Sequence, residues 1–367
     1  MHALVTADTI GGVWTYVREL VTGLVARGVQ VTLVSFGEIP TSQQTSWIDG
    51  LAGVDFRPTG FRLEWMHEAD IEASSEYLAS TVREVRPDVL HLNQFCYGAL
   101  SVNVPRIVVA HSDVVSWWVA VHDEEPRDGT WMQWYREIVL RGVRGATAVV
   151  APSLWMLRCV RKHYASPARE RVIYNGRTPH MFNPHITKEG YALSVGRVWD
   201  GGKQISLLRQ IDPPMPVYIA GAQDHADATL RAPVRGGARK KNLHMKGPQN
   251  EAQLRQLYSR ASIYAATSRY EPFGLAPLEA ALSRCAIVAN DIPSFHEIWG
   301  DSAYYFSLND PAALEAALRE LAENEELCRR FANRAYEHAR QHYSADRMVD
   351  DYLDLYKTVV ETEAAAA

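Results

Sequence analysis

Two carboxylates eight positions apart, Glu271 and Glu279, enclose the segment EPFGLAPLE at 271–279. Gly274 and Pro277 make it read as a tight loop entering a helix over 277–283, because proline loses nothing in a first helical turn, where its N–H would lack a partner. Such a start exposes backbone amides, here around Phe273, Gly274, Leu275 and Ala276, and those amides suit an anion. One Glu precedes the helix and the other falls in its first turn, so both can face one ligand. A carboxylate accepts hydrogen bonds from vicinal hydroxyls. The pair therefore suits a ligand that carries two sugars and a phosphate.

Cations stand at a second point. Arg197 follows Gly196, and Lys203 comes six positions later, after Gly201 and Gly202. A forked guanidinium and a point-charge ammonium on one glycine-rich loop make a clamp for a diphosphate leaving group. Two solvated surface cations are the plainer alternative, and the placement after a strand favours the clamp. Gly11 and Gly12 follow the first strand, where their amides can approach a phosphate or where they merely turn the chain. His111 ends a strand over 106–110; it can donate to a sugar hydroxyl, carry a proton, or be structural. Asn175-Gly176 reads by itself as a turn.

These groups need elements to hold them. Short apolar strands alternate with amphipathic helices: strands over 2–6, 29–35, 89–92, 106–110 and 146–151, with helices over 14–27 and 71–85. The rhythm restarts with strands over 191–195, 216–220, 243–246, 261–265, 286–289 and 303–306. Helices follow over 251–259, 277–283, 311–324, 326–342 and 345–361. Continuous apolar strands between helices mean parallel sheets covered on both faces. The expected fold is α/β, two facing Rossmann-like doubly wound domains with a deep cleft between them. The expected domains are 1–180, 181–344 and a last helix, 345–367, with a linker near 177–188.

Composition narrows the class. The chain has 367 residues, 47% hydrophobic and 22% charged, with net charge −5. Those values describe an ordinary globular protein and give no global reason to expect nucleic-acid binding. Cys96, Cys159, Cys285 and Cys328 lie far apart, with no metal spacing, and read as thiols in a reducing compartment. The N-terminus lacks a basic region followed by a long apolar core, and no apolar run has the length of a membrane span. The expectation is a cytoplasmic protein, with weak peripheral contact to the inner face of a membrane left open.

Gly11-Gly12, Ala110-His111, Ala151-Pro152-Ser153, Asn175-Gly176, Gly196-Arg197 with Lys203, and 271–279 come in an order that resembles the retaining glycosyltransferases of family 4. Those enzymes have the two-domain GT-B architecture, and the resemblance covers nearly the whole chain. It implies that Glu271 binds hydroxyls of the donor sugar and Glu279 the ribose. Arg197 and Lys203 would hold the diphosphate, with Gly12 bringing the N-terminal loop against it. The amides of Phe273, Gly274, Leu275 and Ala276 would meet sugar and phosphate, and Met245 and Lys246 the nucleobase. His111 would face the transferred sugar, and the last helix would cross back to the N-terminal domain.

Breaking the anomeric C–O bond puts positive charge on the sugar and negative charge on the departing diphosphate. Fixed cations then stabilise the transition state more than the ground state. Arg197 and Lys203 supply them, and the chain has no Asp-x-Asp motif, so no metal and no cofactor is expected. The resemblance implies front-face substitution, with Glu271 a weaker candidate nucleophile. The donor reads as a UDP-sugar and the acceptor as a sugar, a lipid-linked or a small-molecule hydroxyl. A nucleotide-sugar epimerase of the same architecture and a non-catalytic nucleotide-sugar-binding partner subunit are the alternatives. Trp117, Trp118, Trp131, Trp134 and Tyr135 form either an acceptor wall or core packing. Asp113, His122, Asp123 and Glu124 nearby can orient an acceptor. Arg231, Arg235, Arg239, Lys240 and Lys241 form a basic loop, suited to an anionic membrane or simply solvated.

Overall fold

The computed structural model describes residues 1–9, 11–62, 68–224 and 240–366. Of the basic loop, Arg231, Arg235 and Arg239 lie outside the described residues. The chain divides into two compact units: Met1–Val119 with Glu124–Gly176 and Ala345–Ala367, and Ala120–Asp123 with Arg177–Ser344.

The first unit contains β1 (His2–Asp8), α1 (Gly12–Ala26), β2 (Gln30–Phe36), α2 (Ser42–Thr45), β3 (Val54–Pro58), α3 (Glu68–Val85) and β4 (Val89–Leu92). It continues through β5 (Arg106–Val109), α4 (Val114–His122, whose end belongs to the second unit), α5 (Thr130–Gly145), β6 (Ala148–Ala151), α6 (Leu154–His163) and β7 (Glu170–Val172). Its seven strands run in the order β3-β2-β1-β4-β5-β6-β7, all parallel. β4 and β6 are buried along their whole length, as a sheet covered on both faces requires. α2, β3, α4, α5, α6 and β7 go beyond the elements expected from sequence. β3 is a partly exposed edge strand with a charged pair, Asp55 and Arg57, so its apolar run is broken. α4 is apolar on nearly every face, which hides a helical period.

The second unit contains β8 (Ala192–Val195), β9 (Val217–Ala220), β10 (Leu243–Gly247), α7 (Glu251–Arg260), β11 (Ile263–Ala266), α8 (Leu275–Leu282) and β12 (Ala286–Asn290). α9 (Pro293–Trp299), β13 (Tyr304–Phe306), α10 (Pro311–Glu323) and α11 (Glu325–His342) complete it. Its order is β10-β9-β8-β11-β12-β13, again parallel throughout. Both sheets reverse direction of winding once, between β1 and β4 and between β8 and β11. Ligands of such sheets bind beyond the carboxyl ends of the strands at that reversal.

The last helix, α12 (Ala345–Ala366), supplies Met348, Val349, Tyr352, Tyr356 and Val359 to the first unit's core. It packs on α1 at Gly23, where a Cβ would come within 2.5 Å of Val349 Cγ2. Arg27 Nε donates to Asp350 beside that contact at 2.7 Å. Among the described residues no helix is long and apolar enough to cross a membrane.

Candidate active site

The second unit gathers charge at its reversal point. After β8 the chain passes Gly196 and makes a loop in which Asp200 is buried and accepts from the Gly202 amide at 2.8 Å. Arg197, half-exposed, donates to the other Asp200 oxygen at 2.6 Å and lies over the Trp199 ring. Burial pushes the Asp200 carboxyl up, but Arg197, the Gly202 amide and Lys203 outweigh it, leaving the group below its ordinary value. Gly221, after β9, has φ +145, and a Cβ there would sit 1.9 Å from the Gly196 carbonyl. Only glycine lets these two strand ends approach so closely.

Lys203 and the segment after β11 meet. Lys203 Nζ donates to Glu271 Oε2 at 2.6 Å, and Ser268 Oγ donates to the same oxygen at 3.0 Å. Thr267 Oγ1 donates to the Lys203 carbonyl, and the amides of Arg269 and Tyr270 both bond the Gly202 carbonyl. The two loops are therefore stitched together by backbone, and the Lys203–Glu271 pair sits on that rigid support. A small cavity of about 10 Å³ opens beside it, lined in part by Ser194, Tyr264, Ser268 and Pro277.

α8 begins earlier than the sequence suggests. Gly274 adopts φ 93, a left-handed conformation, so the chain turns into the helix straight after Phe273. Pro277 is thus the third helical residue, and Glu279 lies in the second turn, not the first. No side chain caps this helix start, so its amides keep their capacity for a ligand. Arg177, expected in a linker, is instead 1% exposed, and its Nε lies 3.0 Å from Glu279 Oε1. Met245 packs against the core while the Lys246 ammonium lies over the Tyr218 ring, and Gln249 donates to the Lys246 carbonyl.

The first unit presents a different chemistry. Gly11, φ 76, precedes α1, whose start also lacks a side-chain cap. His111 Nε2 lies 2.7 Å from Asn93 Oδ1. Asn93 donates its amide nitrogen to the Thr6 carbonyl, so its oxygen faces the imidazole and the Nε2 proton is the one bonded. Burial lowers the His111 pKa to about 3, which makes it a neutral hydrogen-bonding group. Tyr16 packs edge-on against it at 4.7 Å. Behind Tyr16, buried His91 bonds the Tyr16 and Tyr356 hydroxyls and is likewise held near 3, by burial first and His111 second.

Asp113 is buried and accepts from the Ser116 amide at 2.8 Å, from Ser116 Oγ and from the Tyr164 hydroxyl at 2.8 Å. It caps the start of α4, so its geometry is that of a structural residue. Trp117 and Trp118 are partly buried on α4. Trp131 on α5 is 43% exposed and stacks on Tyr135, the most open aromatic face of this segment. His122 and Asp123 belong to the second unit and Glu124 to the first, and Asp123 pairs with Arg269 at 3.4 Å.

Asp200, Ser268, Arg177 and Asn93 escaped the reading of the sequence. Three carried a signal: Asp200 lies between the two cations, Ser268 three residues before Glu271, and Asn93 directly after a strand. Arg177 carried none, because its neighbours Thr178 and Pro179 resemble a linker. Among the described residues no three His, Cys, Asp or Glu side chains gather as a metal site.

Two parallel, doubly wound units with glycine-lined strand ends define the GT-B class of fold. Residues 184–338 match the family model described as Glycosyl transferases group 1, and residues 10–180 match Glycosyltransferase Family 4. The chain belongs to the family-4 glycosyltransferases. The O-antigen chain mannosyltransferase RfbU of Salmonella typhimurium is 25% identical over 224 residues, 59% of this chain and 63% of that protein. The match thus spans less than two thirds of that relative. Sucrose-phosphate synthase of Thermosynechococcus elongatus superposes with a TM-score of 0.78 at 18% identity, over 98% of this chain and 99% of the other. Anabaena HepE in complex with UDP and glucose superposes with 0.73 at 14% identity, over 98% and 100%. At these identities the likeness is one of fold.

Proposed function

We propose that the chain is a retaining, metal-independent glycosyltransferase that moves a hexose from a nucleotide sugar, in our reading a UDP-sugar, to an acceptor hydroxyl in glycan, glycolipid or glycoconjugate synthesis. The observation that carries this is the Lys203–Glu271 pair at 2.6 Å on the reversal point of the second sheet. A diphosphate competing for Lys203 would release the Glu271 carboxylate to hydroxyls of the donor sugar. Arg197, on the same loop, adds the second cation. As the diphosphate departs, its charge grows against groups already in place, which lowers the barrier without reorganisation. The uncapped start of α8 offers Leu275 and Ala276 amides to the same anion.

Glu271 shares one oxygen between Lys203 and Ser268. Released from Lys203, that carboxylate keeps the Ser268 hydroxyl and takes up sugar hydroxyls, a binding role that favours front-face substitution, the donor phosphate taking the acceptor proton. His111, neutral with its Nε2 proton on Asn93, has the Nδ1 lone pair as an acceptor for a sugar hydroxyl. The mannosyl transfer in the name of RfbU and the UDP and glucose bound to HepE make the donor the point to settle.

The test is a thermal-shift panel of UDP-glucose, GDP-mannose, ADP-glucose and dTDP-glucose, since a ligand stabilises the folded state by mass action. One nucleotide should dominate. The product linkage, read by NMR, should keep the donor's anomeric configuration, and transfer should persist in EDTA. No shift with any donor would sink the reading. An inverted anomer would remove the retaining assignment, and loss of transfer in EDTA the metal-independent one.

A further inference from the structure

We infer that Arg177 is a positioning residue for Glu279, holding that carboxylate in the orientation from which it takes the ribose hydroxyls of the donor nucleotide; the inference rests on the ribose role of Glu279 within the proposed function. The buried guanidinium lies between two carboxylates and an aromatic ring. Its Nε lies 3.0 Å from Glu279 Oε1 and its Nη2 3.2 Å from Glu251 Oε1, while its carbon sits 5.3 Å from the Phe182 ring centroid. The backbone is constrained too: the Arg177 amide donates to the Tyr343 carbonyl, and the residue forms an isolated parallel bridge with Ser344. Arg177 is therefore a fixed object, and Glu279 is a three-torsion side chain leaning on it.

The pair also links two helices. Glu279 rides on α8, and Glu251 is the first residue of α7, five positions past Lys246. One arginine thus sets the ribose carboxylate relative to the chain that follows the proposed base-reading stretch. Burying an arginine with two carboxylates is a poor route to stability, because desolvation cancels most of the attraction. What such an arrangement supplies is a fixed, buried positive charge against which the Glu279 carboxylate is held.

The experiment measures affinity by calorimetry for UDP, GDP and ADP and for their 2′-deoxy counterparts, and takes the ribo-to-deoxy ratio for the nucleotide that binds. Glu279→Gln should bring the ratio close to one. Arg177→Met should lower it about tenfold by weakening the ribonucleotide alone, the equivalent of one well-placed hydrogen bond. The double variant should match Glu279→Gln. Arg177→Lys keeps the charge without the fork and should also lower the ratio, and it decides the matter if Arg177→Met does not fold. A folded Arg177 variant with the wild-type ratio, or with equal losses for both nucleotides, overturns the inference while leaving the ribose role standing. A wild-type ratio in Glu279→Gln removes the ribose role, and the inference with it. Binding of none of the three nucleotides overturns both.

Discussion

His91 and His111 in the first unit are surrounded by hydroxyls, an amide and aromatic rings, and burial keeps both neutral. Lys203, Arg197 and Arg177 in the second unit each face a carboxylate at 3.0 Å or less. His111 and the loop carrying Arg197 and Lys203 stand beyond the carboxyl ends of parallel strands, while His91 lies within β4, so the same scaffold carries two electrostatic designs. Neutral donors and acceptors suit hydroxyls, which carry no charge to balance. Paired charges suit a diphosphate, which can replace the carboxylate partner of Lys203 and of Arg197, while Arg177 keeps Glu279. Topology decides where a site forms, and the local polar partners decide what it can hold.

The comparison breaks most visibly at Lys203 and Glu271. Either Lys203→Ala or Glu271→Ala should lower the transfer rate about a thousandfold, a loss on the scale of removing one transition-state contact. The fold should survive, because the backbone bonds of Gly202 with Arg269 and Tyr270 remain. Steady-state kinetics with circular dichroism checks this, and near-normal turnover in either variant would remove the assigned role. Arg177→Met leaves Glu279 facing an apolar side chain in a buried place. Loss of one partner of such a pair costs about 3–5 kcal/mol, to be read as a fall in the urea midpoint. An unchanged midpoint would mean that water reaches Glu279 and compensates it.

Gly221→Ala comes next. The added methyl overlaps the Gly196 carbonyl at a backbone angle that favours glycine, and the variant should lose about 2–4 kcal/mol of stability. The displaced Gly196–Arg197 loop should weaken nucleotide binding, while acceptor binding is unaffected. Equal weakening of both would place the damage elsewhere.

Acid separates His91 from Asp200 by a smaller effect. His91 is held near 3 when folded and returns to about 6.5 on unfolding, so the unfolded chain binds the proton first. Its contribution is fully present above about pH 6.5 and is lost as pH falls toward 3, at about 1.4 kcal/mol per pH unit. His111 acts in the same direction, as do His163 and His338. Asp200 has the opposite chemistry: its folded value is depressed, so its contribution is lost only below about pH 4. Urea unfolding at pH 7.5 and pH 5.0 should show a loss at pH 5.0 that His91→Gln reduces. An equal loss in the variant would assign the slope to other groups.

Part of this was legible beforehand. Alternating apolar strands and helices required two doubly wound parallel sheets, and both are present. The eight-residue spacing of Glu271 and Glu279 marked a loop entering a helix, yet the start of that helix shifted by two residues. The cause is local: Gly274 turns left-handed, a conformation that composition permits and does not demand. β3 was missed because an edge strand with one exposed side carries too few apolar residues to stand out. Arg177 was missed because burial depends on what packs over a residue, and Phe182, Glu251 and Glu279 arrive from three separate segments.

The sequence by itself determined most element types and the parallel sheets, and it named the residues proposed to bind sugar and phosphate. Periodicity and residue chemistry are local properties, written directly in the order of side chains. Only the tertiary structure decided the pairings: Lys203 with Glu271, Arg177 with Glu279, Asn93 with His111, and α12 with α1. Those contacts join residues up to 326 positions apart, as Gly23 and Val349 show, and depend on which strands become neighbours. A pairing is a property of the folded sheet, and it sets whether each group is charged, neutral or aimed.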